Sequence, residues 1–226
     1  MNQDIIHVYC MPGLAANPTI FEHIKLPKSQ FKIHWLEWLI PNKTDTLSSY
    51  AKRLAASITE ANVVLIGVSF GGVVVQEMSK FISVKRLIII SSLKTASEKP
   101  TSMKIMRATK AYAFLPTALV GKLDMLSKFA VNQKVAQRIE LYKKYLSVTD
   151  KRYLKWAIKQ MVCWQQETAL PNLIHIHGTL DHIFPYERIN GCITVENGTH
   201  IMILNKYRWF NKHLPQLILE GSIAGH

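Results

Sequence analysis

Three polar side chains in this chain stand where a polar side chain can do chemistry: Ser69, Asp181 and His200. Each follows an apolar run of strand type and lies beside glycine, in Gly67-Val68-Ser69-Phe70-Gly71, Gly178-Thr179-Leu180-Asp181 and Asn197-Gly198-Thr199-His200. A serine hydroxyl at neutral pH is a poor nucleophile. It becomes a competent one when an imidazole takes its proton and a carboxylate orients that imidazole. The set therefore suits attack on a carbonyl carbon. In the first motif the serine sits at a sharp strand-to-helix turn, where small neighbours at Gly67 and Gly71 let strand and helix pass close beneath an exposed hydroxyl.

The elements that must position these residues are legible in the chain. Ile5–Cys10 reads as a strand ending in the turn Met11-Pro12-Gly13-Leu14, Phe31–Leu36 as a second strand, and Thr46–Thr59 as a helix capped near Asp45 or Thr46. The runs Val63–Ile66 and Val84–Ile90 are strongly apolar, the pattern of strands buried on both faces, and Gly72–Phe81 between them reads as a helix. Strands resume at Leu173–His177 and Cys192–Glu196, and a helix closes the chain over Tyr207–Leu219. Strands alternating with helices over short connections imply parallel pairing and a three-layer α/β architecture. From about Ser97 to Glu167 the alternation stops: stripes at Val135, Ile139, Tyr142 and Leu146, and at Leu154, Ile158 and Met161, are helical, with Asp150 a cap for the second. Residues 97–167 are thus expected to be a helical insertion between core segments 1–96 and 168–226.

In parallel α/β sheets functional groups gather at the carboxyl ends of strands, where Ser69, Asp181 and His200 all fall. Of five aspartates, Asp181 alone directly follows a buried strand in a glycine-containing loop. His175 and His177 alternate with isoleucines and read as structural residues. His182 adjoins the acid and points elsewhere, and His7, His23 and His34 precede the serine on strand or surface positions. His200 remains as the base by placement, against the plainer reading of a surface-loop histidine.

Taken together, Pro12-Gly13-Leu14, Gly67-Val68-Ser69-Phe70-Gly71-Gly72, His177-Gly178-Thr179-Leu180-Asp181 and Asn197-Gly198-Thr199-His200 resemble the α/β-hydrolase superfamily, in its order Ser, Asp, His, from residue 5 to about residue 215. The resemblance implies Ser69 as nucleophile, His200 as general base, Asp181 as its orienter, and the backbone N–H groups of Leu14 and Phe70 as an oxyanion hole. It also implies a mostly parallel sheet reduced to about six strands, because the chain starts where the family's third strand would lie. One departure stands out: Pro12-Gly13 replaces the His-Gly pair usual before the oxyanion residue, which changes the hydrogen bonds around that turn. The implied reaction is hydrolysis of an ester or thioester through an acyl-enzyme, on a small-molecule substrate, with no metal and no organic cofactor. The insertion would occupy the cap position, with Met103, Met106, Phe114, Leu115 and Met125 lining a pocket for a hydrophobic acyl or alkyl group.

Bulk properties bound the alternatives. At 226 residues and 48% hydrophobic the chain is one domain, or one core with an insertion. No basic segment followed by a long apolar one opens it, and no stretch approaches a membrane span, so a cytoplasmic enzyme is expected. Cys10, Cys163 and Cys192 lack zinc or disulfide spacing and read as buried thiols. The net charge of +13 is concentrated between Lys94 and Lys159, where 15 Lys and Arg face four acids. These charges lie between helical apolar positions with few aromatics, the pattern of a solvated face with at most weak contact to anionic surfaces; no nucleic-acid partner is expected. A lyase using the same three residues, a non-catalytic ligand-binding module, and a basic protein docking on anionic membrane or nucleic acid are the competing readings.

Overall fold

The computed structural model describes residues 5–115 and 144–223. Its centre is a six-stranded sheet with strand order β2-β1-β3-β4-β5-β6. The strands are β1 (Ile6–Met11), β2 (Phe31–Trp35), β3 (Val63–Val68), β4 (Arg86–Ile90), β5 (Leu173–Gly178) and β6 (Ile193–Val195). Every adjacent pair is parallel. Among the described residues the α-helices, numbered in chain order, are α1 (Leu47–Ala55), α2 (Phe70–Met78), α3 (Thr101–Thr109), α4 (Lys151–Cys163), α5 (Met202–Asn205) and α6 (Tyr207–Glu220).

The alternation of side chains along the strands divides the core in two. Tyr9, Met11, Leu65, Leu87 and Ile89 face a cluster that includes α1, α2 and α4. Their neighbours Val8, Cys10, Ile66, Ile88 and Ile90 face the opposite cluster, closed by Phe210, Leu214 and Leu217 of α6. Successive strand residues point to opposite faces, so a strand covered on both sides has no position left for a polar residue. That is why β3 reads as an unbroken apolar run and is buried at all six positions. Each such aliphatic side chain contributes about 1.5–3 kcal/mol of burial free energy.

The helix ends follow local chemistry. Thr46 caps α1 through a reciprocal pair with Ser49, each side chain accepting the backbone N–H of the other residue. Asp150 caps α4 by accepting from the Tyr153 N–H at 2.8 Å. α4 lies at the end of the segment read as an insertion, yet its Tyr153, Leu154 and Ala157 are fully buried in the cluster shared with α1 and α2. α3, at the other end, buries no residue.

Candidate active site

The tip of the β3–α2 turn carries Ser69 at φ 54° and ψ −121°, a conformation an L-residue adopts only under local constraint. The constraint is visible on all sides. The Ser69 N–H donates to the Ile90 carbonyl at 2.9 Å, and the Ser92 hydroxyl donates to the Ser69 carbonyl at 2.7 Å. A side chain at Gly67 would run into the Gly71 backbone, and one at Gly71 into the Met11 and Pro12 carbonyls. The turn is thus locked against β1 and β4, and its hydroxyl projects from the carboxyl edge of the sheet.

Asp181 and His200 come to the same edge from the loops after β5 and β6. These loops are tied to each other: the Leu180 N–H donates to the Gly198 carbonyl at 2.8 Å, and the Asn197 N–H to the Thr179 hydroxyl at 2.9 Å. Gly178 and Gly198 touch so closely that a Cβ on Gly178 would meet the Gly198 backbone. His200 then spans the other two groups. Its Nδ1 lies 2.8 Å from Asp181 Oδ2 and 3.1 Å from Oδ1, and its Nε2 lies 2.9 Å from Ser69 Oγ.

Electrostatics give this chain a direction. The Asp181 side chain is fully buried. Burial works to raise its pKa, but the hydrogen bond and charge of His200 and the Phe184 N–H outweigh that, and the net shift is downward. Its Oδ1 accepts from the Ile183 and Phe184 N–H groups, both at 2.9 Å. An ionised carboxylate can only accept, so His200 Nδ1 carries the proton and Nε2 presents its lone pair to the Ser69 hydroxyl. That is the tautomer a general base requires.

Behind Asp181 stands a second histidine. His177 Nε2 donates to the Phe184 carbonyl at 2.8 Å and lies 3.5 Å from Asp181 Oδ2, while His177 Nδ1 meets His175 Nε2 at 3.2 Å. Burial, opposed only in part by the Phe184 carbonyl and Asp181, lowers the pKa of His177, and burial followed by the nearby His177 lowers that of His175 further. Both rings are therefore neutral struts. The Phe184 peptide is held at both ends, by His177 at its own carbonyl and by Asp181 at its N–H, and its ring stands edge-on to His200 at 5.3 Å.

The turn after β1 lies against the serine: a Cβ on Gly13 would contact Ser69 Cβ at 3.4 Å. With proline at position 12, the turn is held by aromatic residues. Trp38 Nε1 donates to the Gly13 carbonyl at 3.1 Å, and the Trp38 ring stacks on Phe70 at 5.4 Å and 9°. Leu14 belongs to this turn, and Phe70 is the first residue of α2, whose N–H has no acceptor within its own helix.

A cavity of about 640 Å³ opens beside Ser69 and His200, and its walls are mostly apolar. Leu14, Phe70 and Met103 line it; Met103 is one of the residues expected at the acyl pocket, and Leu14 and Phe70 are those expected to supply the oxyanion-hole N–H groups. Among the described residues, Met106, Phe114 and Leu115 do not line it, and Phe114 is 86% exposed beyond α3. A turn of 3₁₀ helix at Ala111–Phe114 follows the left-handed Lys110 and changes the direction of the chain there. Met125 lies outside the described residues. Ile183, Phe184, Ile201, Leu204, Tyr145 and Met161 also form the wall and were not singled out from sequence. Four of these could have been: Ile183 and Phe184 follow Asp181 by two and three positions, and Ile201 and Leu204 follow His200 by one and four.

No protein-family model matches the sequence, and no curated protein matches it. Solved structures do match the fold. An esterase from Thermogutta terrifontis, with malate bound, superimposes with TM-score 0.68 at 13% identity, over 97% of this chain and 91% of that one. The esterase EaEST from Exiguobacterium antarcticum gives 0.64 at 16% identity, over 97% and 94%. The RedJ thioesterase of prodiginine biosynthesis in Streptomyces coelicolor gives 0.59 at 12%, over 93% and 85%. The chain has the α/β-hydrolase fold, built here on six parallel strands.

Proposed function

We propose that the protein is a serine hydrolase that cleaves a carboxylic ester or thioester through an acyl-enzyme. The observation that carries this reading is the continuous hydrogen-bonded chain from Ser69 Oγ through His200 to Asp181, at 2.9 and 2.8 Å. In the proposed reaction His200 Nε2 takes the Ser69 proton as Oγ attacks the acyl carbonyl, and the imidazolium is stabilised by Asp181. The developing oxyanion accepts from the Leu14 and Phe70 backbone N–H groups, and collapse expels the alcohol or thiol, protonated by His200. A water deprotonated by the same nitrogen then releases the acid. This scheme uses the chain's own residues throughout.

The mostly apolar cavity supports a hydrophobic acyl or alkyl group, and segment 97–167, of which Met103, Tyr145, Leu146 and Met161 reach the cavity wall, is proposed as its roof. Esterases and a thioesterase among the structural neighbours support ester and thioester substrates alike. Among the described residues no helix is long and apolar enough to cross a membrane.

Labelling with a fluorophosphonate probe tests the nucleophile. The parent protein is expected to label and Ser69→Ala is not; a mutant that labels as fast as the parent removes Ser69 from the mechanism. A panel of ester and thioester substrates of graded acyl length then separates hydrolysis of each type from lyase chemistry on the same residues.

A further inference from the structure

A second cluster of chemically capable side chains lies on β1 and β2 and the approach to β3. In the parallel register Tyr9 stands opposite His34, and His7 lies two residues back on the same face as Tyr9. The His7 N–H donates to the Asn62 carbonyl, which brings the loop carrying Glu60 against the same spot. Three segments distant in sequence thereby place His7 Nδ1 3.0 Å from His34 Nε2 and 3.9 Å from Glu60 Oε1. One ligand atom from each residue lies within 4.8 Å of the other two. All three residues are half-buried, so the cluster is supported by packing and reachable from solvent.

The surroundings orient these groups. The Tyr9 hydroxyl donates to Glu60 Oε2, which leaves Oε1 turned toward His7. The Tyr9 ring stacks on His34 at 4.3 Å and 9° and fixes the imidazole plane. Such outer contacts, a hydrogen bond that aims a carboxylate and a ring that holds an imidazole, are what a metal ligand set needs around it. Two imidazole nitrogens facing each other at 3.0 Å repel unless a proton or a cation lies between them. A tetrahedral zinc site with bonds of about 2.0–2.1 Å separates its ligand atoms by about 3.3 Å, and the two distances here bracket that value.

We propose that His7, His34 and Glu60 bind a divalent transition-metal ion of the zinc class, with two imidazole nitrogens and one carboxylate oxygen as ligands and a fourth position open to water. The donor set selects this class, since imidazole with carboxylate suits zinc, cobalt, nickel and copper, whereas calcium and magnesium take oxygen alone. A bound ion would tie β2, an edge strand, to β1 and to the lead-in of β3. The site is independent of the proposed hydrolase chemistry.

The test is titration of the chelator-treated full-length protein with Co²⁺, followed by its visible absorption, and equilibrium dialysis with Zn²⁺. One ion per chain is expected, with Zn²⁺ displacing Co²⁺. His34→Phe, which keeps the ring against Tyr9, and Glu60→Gln are each expected to weaken binding at least tenfold, and His200→Ala to leave it unchanged. Circular dichroism identifies any variant that fails to fold, and Tyr9→Phe, which retains all three ligands, then serves as a milder substitute with a smaller loss. Absence of stoichiometric binding by the parent protein at micromolar metal, or binding that survives both ligand substitutions and falls with His200→Ala, overturns the proposal.

Discussion

Replacing Asp181 by asparagine exposes the electrostatics of the site with almost no change in shape. Oδ1 of Asp181 accepts two backbone N–H groups, from Ile183 and Phe184, so the amide oxygen of the substituted side chain must take that place. The amide nitrogen is then forced into the Oδ2 position, 2.8 Å from His200 Nδ1. A donor there requires Nδ1 to be the unprotonated nitrogen, so the proton moves to Nε2, which faces Ser69 Oγ and can no longer accept from it. The charge effect is of similar weight. At an effective dielectric constant of about 20, opposite charges about 3–4 Å apart attract by about 4–6 kcal/mol, and this attraction to the imidazolium is lost. At 1.36 kcal/mol per tenfold change, kcat is expected to fall by about 10³ to 10⁴. The assay is hydrolysis of a short p-nitrophenyl ester under saturating substrate, with KM followed in parallel and folding checked by urea unfolding. A folded Asp181→Asn protein that retains a tenth or more of the parent kcat would refute the tautomer argument and with it the assignment of Asp181.

Other expectations rest on separate features. Acidification should weaken the fold through Asp181: its folded pKa lies below the unfolded value, so its contribution is complete above about pH 4 and is lost as pH falls through the lower folded value. Urea midpoints measured across the acid limb, from neutral pH downward, should therefore fall less steeply for Asp181→Asn than for the parent. Gly71→Ala places a methyl group against the Met11 and Pro12 carbonyls and should cost about 1–3 kcal/mol of stability, together with most of the fluorophosphonate reactivity, since the turn carrying Ser69 must shift. Met103→Trp fills part of the cavity and should lower kcat/KM for octanoyl esters at least tenfold while leaving acetyl esters within threefold. Equal losses on both substrates would place Met103 outside the acyl pocket.

What the sequence alone determines here is local. Apolar runs at Val63–Ile66 and Val84–Ile90 specify strands covered on both faces, and the glycines around Ser69 specify a turn that larger residues would not permit. Element boundaries follow the same logic to within a few residues: the helix expected from Gly72 begins at Phe70, because the strained turn is completed by a single residue, Ser69. The order of serine, aspartate and histidine along the chain belongs to this class as well.

What the tertiary structure decided is convergence. Ser69 and His200 are 131 residues apart and meet at 2.9 Å only because β3, β5 and β6 run parallel and in register, so that their carboxyl ends form one edge. The same holds for His177, which looks like any strand histidine until its ring is seen holding the Phe184 peptide that in turn donates to Asp181. His7, His34 and Glu60 carry no motif at all, and it is the β1–β2 register that puts two imidazoles face to face. Periodicity encodes which way a side chain points within its own element. Which distant side chain it meets depends on how strands pair, a long-range outcome of burying both faces of the sheet at once.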